Sequence, residues 1–76
     1  MGNSKRLLML HHMSVREITV NDLAKATGLS QSATSQHLTR LRQADLVVRR
    51  RDSQTIYYSI ASQLVRKLLN YFIELG

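Results

Sequence analysis

The chain has 76 residues and a formal net charge of +6, from 11 lysines and arginines against 5 acids. A chain of this length predicts one small domain, residues 1–76, with a thin core that a partner subunit would help to stabilise. It has no cysteine, which excludes disulfides, thiolate metal sites and thiol switches. We expect a cytoplasmic protein without a membrane segment, because no apolar run approaches about 20 residues and no secretory or myristoylation signal is present. The charge favours a polyanionic partner, with nucleic acid the first candidate.

The N-terminal part predicts two helices with a short extra strand near 16–19 between them. Leucines along one side indicate a first helix over about residues 4–13. The segment "VREITV" alternates weakly, which is typical of a short strand. The following segment "TVNDLAKAT" predicts a second helix capped by Thr19. Gly28 comes directly after it, where a left-handed residue commonly ends a helix.

The third predicted helix covers about residues 31–44, with Ser30 as its cap. Its apolar residues are few, and Leu38 and Leu41 mark the buried side. A helical wheel places the polar residues Ser32, Gln36, Arg40 and Gln43 opposite those leucines, with Ser35 and Thr39 on the flank. We therefore expect an outward face that is polar, free of acids and basic toward its end.

A β-hairpin and a last helix follow. The runs "LVVRRR" and "QTIYYSI" are β-branched or aromatic and are separated by "DS", which predicts the hairpin. In the second strand Ile56, Tyr58 and Ile60 share one face. Ser62 is expected to cap a helix reaching about residue 75, which is apolar on more than one stripe. Such a helix needs more than one neighbour, so one side closes the core and the rest is a candidate dimer surface.

This order predicts a mainly α fold with a small β-hairpin, a winged helix-turn-helix of order α-α-α-β-β-α. The helix-turn-helix covers about 20–44, the wing about 46–60 and the dimerisation helix about 62–75. A helix-turn-helix presents its second helix to the DNA major groove, where Ser, Gln and Arg can bond to base edges. The wing then brings further side chains to phosphates or the minor groove. The basic and polar candidates outside the start of that helix are Arg40, Arg49, Arg50, Arg51 and Gln54.

The run "LAKATGLSQSATSQHLTRLRQADLVVRRRDSQTIYYSI" resembles the DNA-binding part of the ArsR/SmtB family of bacterial winged-helix repressors. The segments "LSQSATSQHL", "LRQADLV" and "IYYSI" carry the resemblance, which covers about residues 6 to 75. It implies a homodimer on a palindromic operator, with the last helix and the N-terminal region as the interface. The implied base-reading residues are Gln31, Ser32, Ser35 and Gln36, of which Gln31 points partly inward on the wheel. The expected dimer contacts on the last helix are Leu64, Leu68, Leu69, Phe72 and Ile73.

Three departures from that family stand out. Asp45 occupies a position where members usually have glycine, although aspartate tolerates the left-handed conformation better than most residues. Many members carry an extra N-terminal helix, whereas this chain starts almost at the following one. Metal sensors of the family use a cysteine pair, or Asp/His and His/Glu pairs on the last helix, and sulfur or oxidant sensors use two cysteines. The first of those two cysteines would fall near His11, so the usual inducer chemistry is missing and we predict neither metal nor cofactor.

Several of these residues also have simpler structural interpretations. His11 and His12 point about 100° apart on a helix, so joint chelation by these neighbours is disfavoured. His37 is expected to pack or to contact a phosphate, and Tyr57 and Tyr58 to pack in the hairpin. The scattered acids and convex polar surfaces give catalysis little support, so we predict that the protein is not an enzyme. The main alternative is a winged-helix protein-interaction module or co-regulator without its own inducer site.

Overall fold

The computed structural model describes the backbone of residues 2–75 and the side chains of residues 4–71 and 74. Its elements follow the predicted order of three helices, a hairpin and a last helix. In chain order they are α1 (Gly2–Val15), α2 (Val20–Thr27), α3 (Gln31–Gln43), β1 (Val47–Asp52), β2 (Thr55–Ile60) and α4 (Gln63–Leu75). Within residues 2–75, no helix combines the length and apolar character that crossing a membrane requires.

Helix α2 begins and ends where its local sequence predicts. The Oγ1 atom of Thr19 accepts a hydrogen bond from the backbone N–H of Asp22 at 3.2 Å, which satisfies one free donor of the first turn. Gly28 takes a φ of 74°, and its N–H donates to the carbonyl of Ala24. This left-handed residue ends α2 and turns the chain toward α3. Ala24 is 6% exposed, so its small side chain lets other elements approach α2 closely.

Helix α3 is held by one narrow buried side. Leu38 and Leu41 are buried, as the sequence predicts, and Thr34, four residues before Leu38, is buried with them. Ser30 caps the helix through a 3.1 Å hydrogen bond that its Oγ accepts from the N–H of Ala33. The buried hydroxyl of Thr34 donates to the carbonyl of Ser30 at 2.8 Å, so this polar group is satisfied inside the helix.

The hairpin pairs Val47 with Ile60 and Asp52 with Thr55 in an antiparallel register. Its turn therefore consists of residues 53–54, one residue later than the predicted "DS", because Asp52 is still paired. Ser53 has a φ of 58°, which closes the turn in the left-handed region. The expected short strand near 16–19 is a single bridge, in which Ile18 and Tyr58 exchange backbone hydrogen bonds of 3.0 and 2.8 Å.

The core lies where α1, the helix-turn-helix, the hairpin and α4 meet. Its buried members come from every element: Met9, Leu10, Met13, Ile18, Leu23, Leu38, Leu41, Val47, Tyr58, Ile60 and Leu69. Asp45, with a φ of 60°, turns the chain out of α3 in the left-handed conformation that the sequence predicts for it. The Oγ of Ser62 accepts from the N–H of Val65 at 3.2 Å, which caps α4 as expected.

Candidate nucleic-acid interface

The outward face of α3 presents a row of polar side chains. Five candidate side chains on it are exposed: Gln31, Ser32, Ser35, Gln36 and Arg40. The wheel is wrong for Gln31, because the side chain of a first helical residue leans back past the helix end rather than into the core. The hydroxyl of Thr39 donates to the carbonyl of Ser35 at 3.0 Å, so it is occupied within the helix. What α3 offers a partner is thus short hydroxyls and amides, with an arginine toward its end.

Two amide side chains connect the starts of α2 and α3. The Nε2 atom of Gln31 donates a hydrogen bond to the Oδ1 atom of Asn21, and both residues are exposed. Asn21 is the second residue of α2, and Gln31 is the first of α3. The bond spans the helix-turn-helix on its solvent side, opposite the buried contacts of the turn.

The three wing arginines are all exposed, but the register divides them between the two faces of the hairpin. Directly opposed residues of an antiparallel pair point to the same face. Arg49 pairs with Tyr58 and Arg51 with Ile56, on the face that continues into the core, whereas Arg50 pairs with Tyr57 on the other face. The Nε of Arg51 donates to the carbonyl of Ser53 at 2.9 Å, which orients its guanidinium along the turn.

Arg50 is already engaged inside the protein. Its Nε and Nη2 donate to the two carboxylate oxygens of Glu17 at 2.8 and 3.0 Å, the bidentate geometry that an arginine fork favours. Its guanidinium carbon lies 5.0 Å from the centre of the Tyr57 ring, and Nη1 lies 4.0 Å from a carboxylate oxygen of Asp52. The hydrogen bonds from Arg50 lower the pKa of Glu17, and the same bonds raise the pKa of Arg50. This pair links the wing to the segment before α2, so a DNA phosphate that binds Arg50 would compete with the carboxylate of Glu17.

Gln54 lies in the wing turn, beside the start of α2. It lines a groove with Asn21, Thr19, Val20, Thr55 and Ile56. The predicted wing residue Gln54 is therefore a neighbour of the helix-turn-helix as well as part of the hairpin.

Lys5 ties α1 to the same turn. Its Nζ donates to the backbone carbonyl of Thr27, the last residue of α2. The hydroxyl of Thr27 donates to the carbonyl of Leu23 at 2.8 Å, so both polar groups of this buried residue are used. A cation at the C-terminal carbonyls of a helix is also favoured by the helix dipole. These bonds fix the end of α2, where Gly28 turns the chain toward α3.

The predicted dimer residues separate into three groups. Leu64 and Leu68 are 67% and 51% exposed, and Leu7 and Leu8 of α1 are also exposed. Leu69 is 7% exposed and belongs to the core of the protomer itself, so the structure assigns it inward. The side chains of Phe72 and Ile73 lie outside the described residues.

Sequence reasoning missed three residues that position this surface: Lys5, Glu17 and Asn21. Each acts through a contact with a residue 10 to 33 positions away, and no local pattern signals such a contact. Among the described side chains, those of residues 4–71 and 74, no three or more His, Asp or Glu are grouped so that they could hold a metal ion.

A short helix, a glycine turn, a second helix with a polar exposed face and an arginine-bearing hairpin define a winged helix-turn-helix protein. Residues 3–48 match the family described as "Bacterial regulatory protein, arsR family". The chain belongs to this family.

Individual relatives agree with that assignment. The chain is 55% identical over 69 residues to the nodulation protein NolR of Rhizobium meliloti, covering 91% of this chain and 57% of that protein. It is 39% identical over 69 residues to the transcriptional activator HlyU of Vibrio cholerae, covering 91% of this chain and 64% of the relative. This chain thus spans less than two thirds of either relative.

Solved structures share the fold. NolR from Sinorhizobium fredii superimposes with a TM-score of 0.83 at 52% identity, over 93% of this chain and 71% of that one. The homodimeric winged helix-turn-helix DNA-binding domain of a possible ArsR-family regulator from Mycobacterium bovis gives a TM-score of 0.89 at 32% identity. That match covers 96% of this chain and 68% of the other.

Proposed function

We propose that this protein is a homodimeric transcriptional repressor that binds a palindromic DNA operator. The observation that carries the proposal is the exposed, acid-free polar face of α3 beside a wing with exposed arginines. Such a helix fits the major groove, whose base edges are read by hydrogen bonds. The net charge of +6 per chain matches a polyanionic duplex. Membership in a family of bacterial regulatory proteins, and relatives named as transcriptional regulators, support a role in transcriptional regulation.

Base reading and backbone contact belong to different parts of the molecule. The helix-turn-helix at about 20–44 reads bases through Gln31, Ser32, Ser35 and Gln36. Arg40 and the wing residues Arg49, Arg51 and Gln54 contact the backbone or minor groove, where contacts set position rather than sequence. Arg50 links the wing to Glu17, and this carboxylate offsets its positive charge.

The dimer uses the exposed leucines of α1 and of the helix at about 62–75. Leu7, Leu8, Leu64 and Leu68 are apolar side chains that a partner subunit would remove from water. Two-fold symmetry then presents two α3 helices to successive major grooves, about 34–36 Å apart along one face of the DNA. We propose that this single domain, residues 1–76, binds DNA in the cytoplasm without metal, cofactor or catalysis, and that it represses by covering promoter DNA.

The test is selection of sequences from a randomised DNA duplex library, followed by affinity measurement across a salt series. The expected result is an inverted repeat with half-site centres about 10–10.5 base pairs apart or a multiple of that spacing. The affinity for it should fall steeply with salt, and the complex should contain two chains. Recovery of no preferred sequence, together with a stable monomer and a co-purifying protein, would instead favour the interaction module.

A further inference from the structure

The hydrogen bond between Asn21 and Gln31 has a chemical consequence for base reading. A glutamine amide carries two N–H donors and one carbonyl acceptor. The bond to Asn21 uses one N–H of Gln31. The other N–H and the carbonyl oxygen stay available, and this donor–acceptor pair is the one that matches N7 and the N6 amino group of adenine.

The bond also restrains the amide of Gln31. Its Nε2 atom faces the Oδ1 atom of Asn21, which leaves the carbonyl oxygen of Gln31 for another partner. A free glutamine side chain would otherwise lose rotamer freedom on binding, and fixing it beforehand lowers that cost. The backbone that carries Gln31 is also restrained, because Gly28 and the Lys5–Thr27 hydrogen bond fix the end of α2 and the turn into α3.

Asn21 is exposed at the second position of α2, so packing in the core gives it no role. Helix α2 is capped by Thr19 rather than by Asn21. The contact with Gln31 is the contribution that the structure shows for this side chain.

We propose that Asn21 is a positioning residue that aligns the Gln31 amide to read an adenine in each operator half-site. This inference rests on the proposed function, because it concerns how the same surface discriminates between base pairs. Gln31 touches the base and Asn21 acts through Gln31. The partner is therefore a duplex with an A·T pair under the start of α3.

The experiment compares the base preference of the wild type with Asn21→Ala and Asn21→Asp, on selected DNA and on probes with 7-deazaadenine at single positions. The wild type should lose affinity at one adenine per half-site when N7 is removed, by roughly fivefold or more, as expected for a bidentate pair. Asn21→Ala should weaken that preference by roughly two- to tenfold. Asn21→Asp keeps the acceptor, so it should retain the preference while its negative charge weakens binding to all sequences.

The double variant Asn21→Ala with Gln31→Ala separates positioning from direct contact. If Asn21 acts through Gln31, its substitution should change base preference no further once Gln31 is absent. Asn70→Ala, which removes an exposed asparagine from α4, is the matched control and should leave the preference unchanged. Circular dichroism verifies that each variant folds.

Two results would overturn the inference: an unchanged preference in folded Asn21→Ala, or an effect of Asn21→Ala that persists without Gln31. Neither touches the proposed function, since the wild type would still bind its selected sequence. If the wild type itself selects no sequence, the proposed function fails and this inference fails with it.

Discussion

Replacing Gly28 by alanine isolates the cost of the left-handed turn that sets the angle of α3. A Cβ built at Gly28 would approach the Nζ of Lys5 at 3.7 Å, an ordinary contact, so the substitution creates no steric clash. The cost is then the left-handed backbone at φ 74°, which is about 1–2 kcal/mol for an L-residue. Alanine also lowers the entropy of the unfolded chain, which offsets about 0.4–1 kcal/mol. We expect Gly28→Ala to reduce the free energy of unfolding by about 1 kcal/mol.

Urea and thermal unfolding at equal protein concentration measure this change, since the stability of the proposed dimer would depend on concentration. The midpoint temperature should fall by about 4–8 °C for a domain of this size. Gly28→Asn should cost less, because asparagine visits the left-handed region more readily. Asp45→Gly is the matched counterpart, since Asp45 has a φ of 60°, and it should be neutral or stabilising. Backbone strain alone costs about 1–3 kcal/mol. If Gly28→Ala lowered the free energy of unfolding by more than about 3 kcal/mol, or not at all, this explanation of the turn would be refuted.

Three further predictions concern the wing and the dimer surface. Glu17→Gln removes the carboxylate that Arg50 binds. The hydrogen bond from Arg50 lowers the pKa of Glu17 from its ordinary value of 4.5. The ion pair therefore stabilises the fold above pH 4.5, and this stabilisation is lost as the pH falls through the lowered pKa. The urea midpoints of wild type and Glu17→Gln should therefore differ near neutral pH and converge in acid; a difference independent of pH would contradict the role of the ion pair. Arg51→Ala should reduce the slope of log affinity against log salt by about 0.9 per protomer, whereas Arg50→Ala should reduce this slope less. Fluorescence anisotropy titrations across a salt series measure both slopes. Equal reductions would show that both arginines contact phosphate. Leu68→Asp should place a charge in the proposed apolar dimer surface and give a folded monomer in sedimentation experiments. A dimer that persists in this variant would exclude Leu68 from the interface.

Local chemistry explains why so much of the fold can be predicted. Thr19, Gly28 and Ser30 specify the helix boundaries through bonds to residues within four positions, and each takes the expected role. The buried side of α3 follows from the spacing of Leu38 and Leu41, because a helical period fixes which residues share a face.

The rest depends on tertiary contacts that no window of sequence contains. Glu17 and Arg50 are 33 positions apart, and only the pairing of Ile18 with β2 brings them together. The apolar pattern of α4 does not indicate which leucines pack inside the protomer and which remain exposed. In the structure Leu69 lies in the core while Leu68 is exposed. The wheel also fails for Gln31, since it ignores the backward tilt of side chains at a helix start.

The central claim, that α3 lies in the major groove, can be tested by cleaving DNA from a single point on the protein. The chain has no cysteine, so Thr39→Cys provides a unique attachment point for an iron chelate on the exposed flank of α3 and removes no base-reading side chain. Ala61→Cys, an exposed position between β2 and α4, is the matched control. We expect cleavage centred in the major groove of each half-site from position 39 and much weaker cleavage from position 61. Equal cleavage from both positions, or none from position 39 on bound DNA, would contradict the placement of α3.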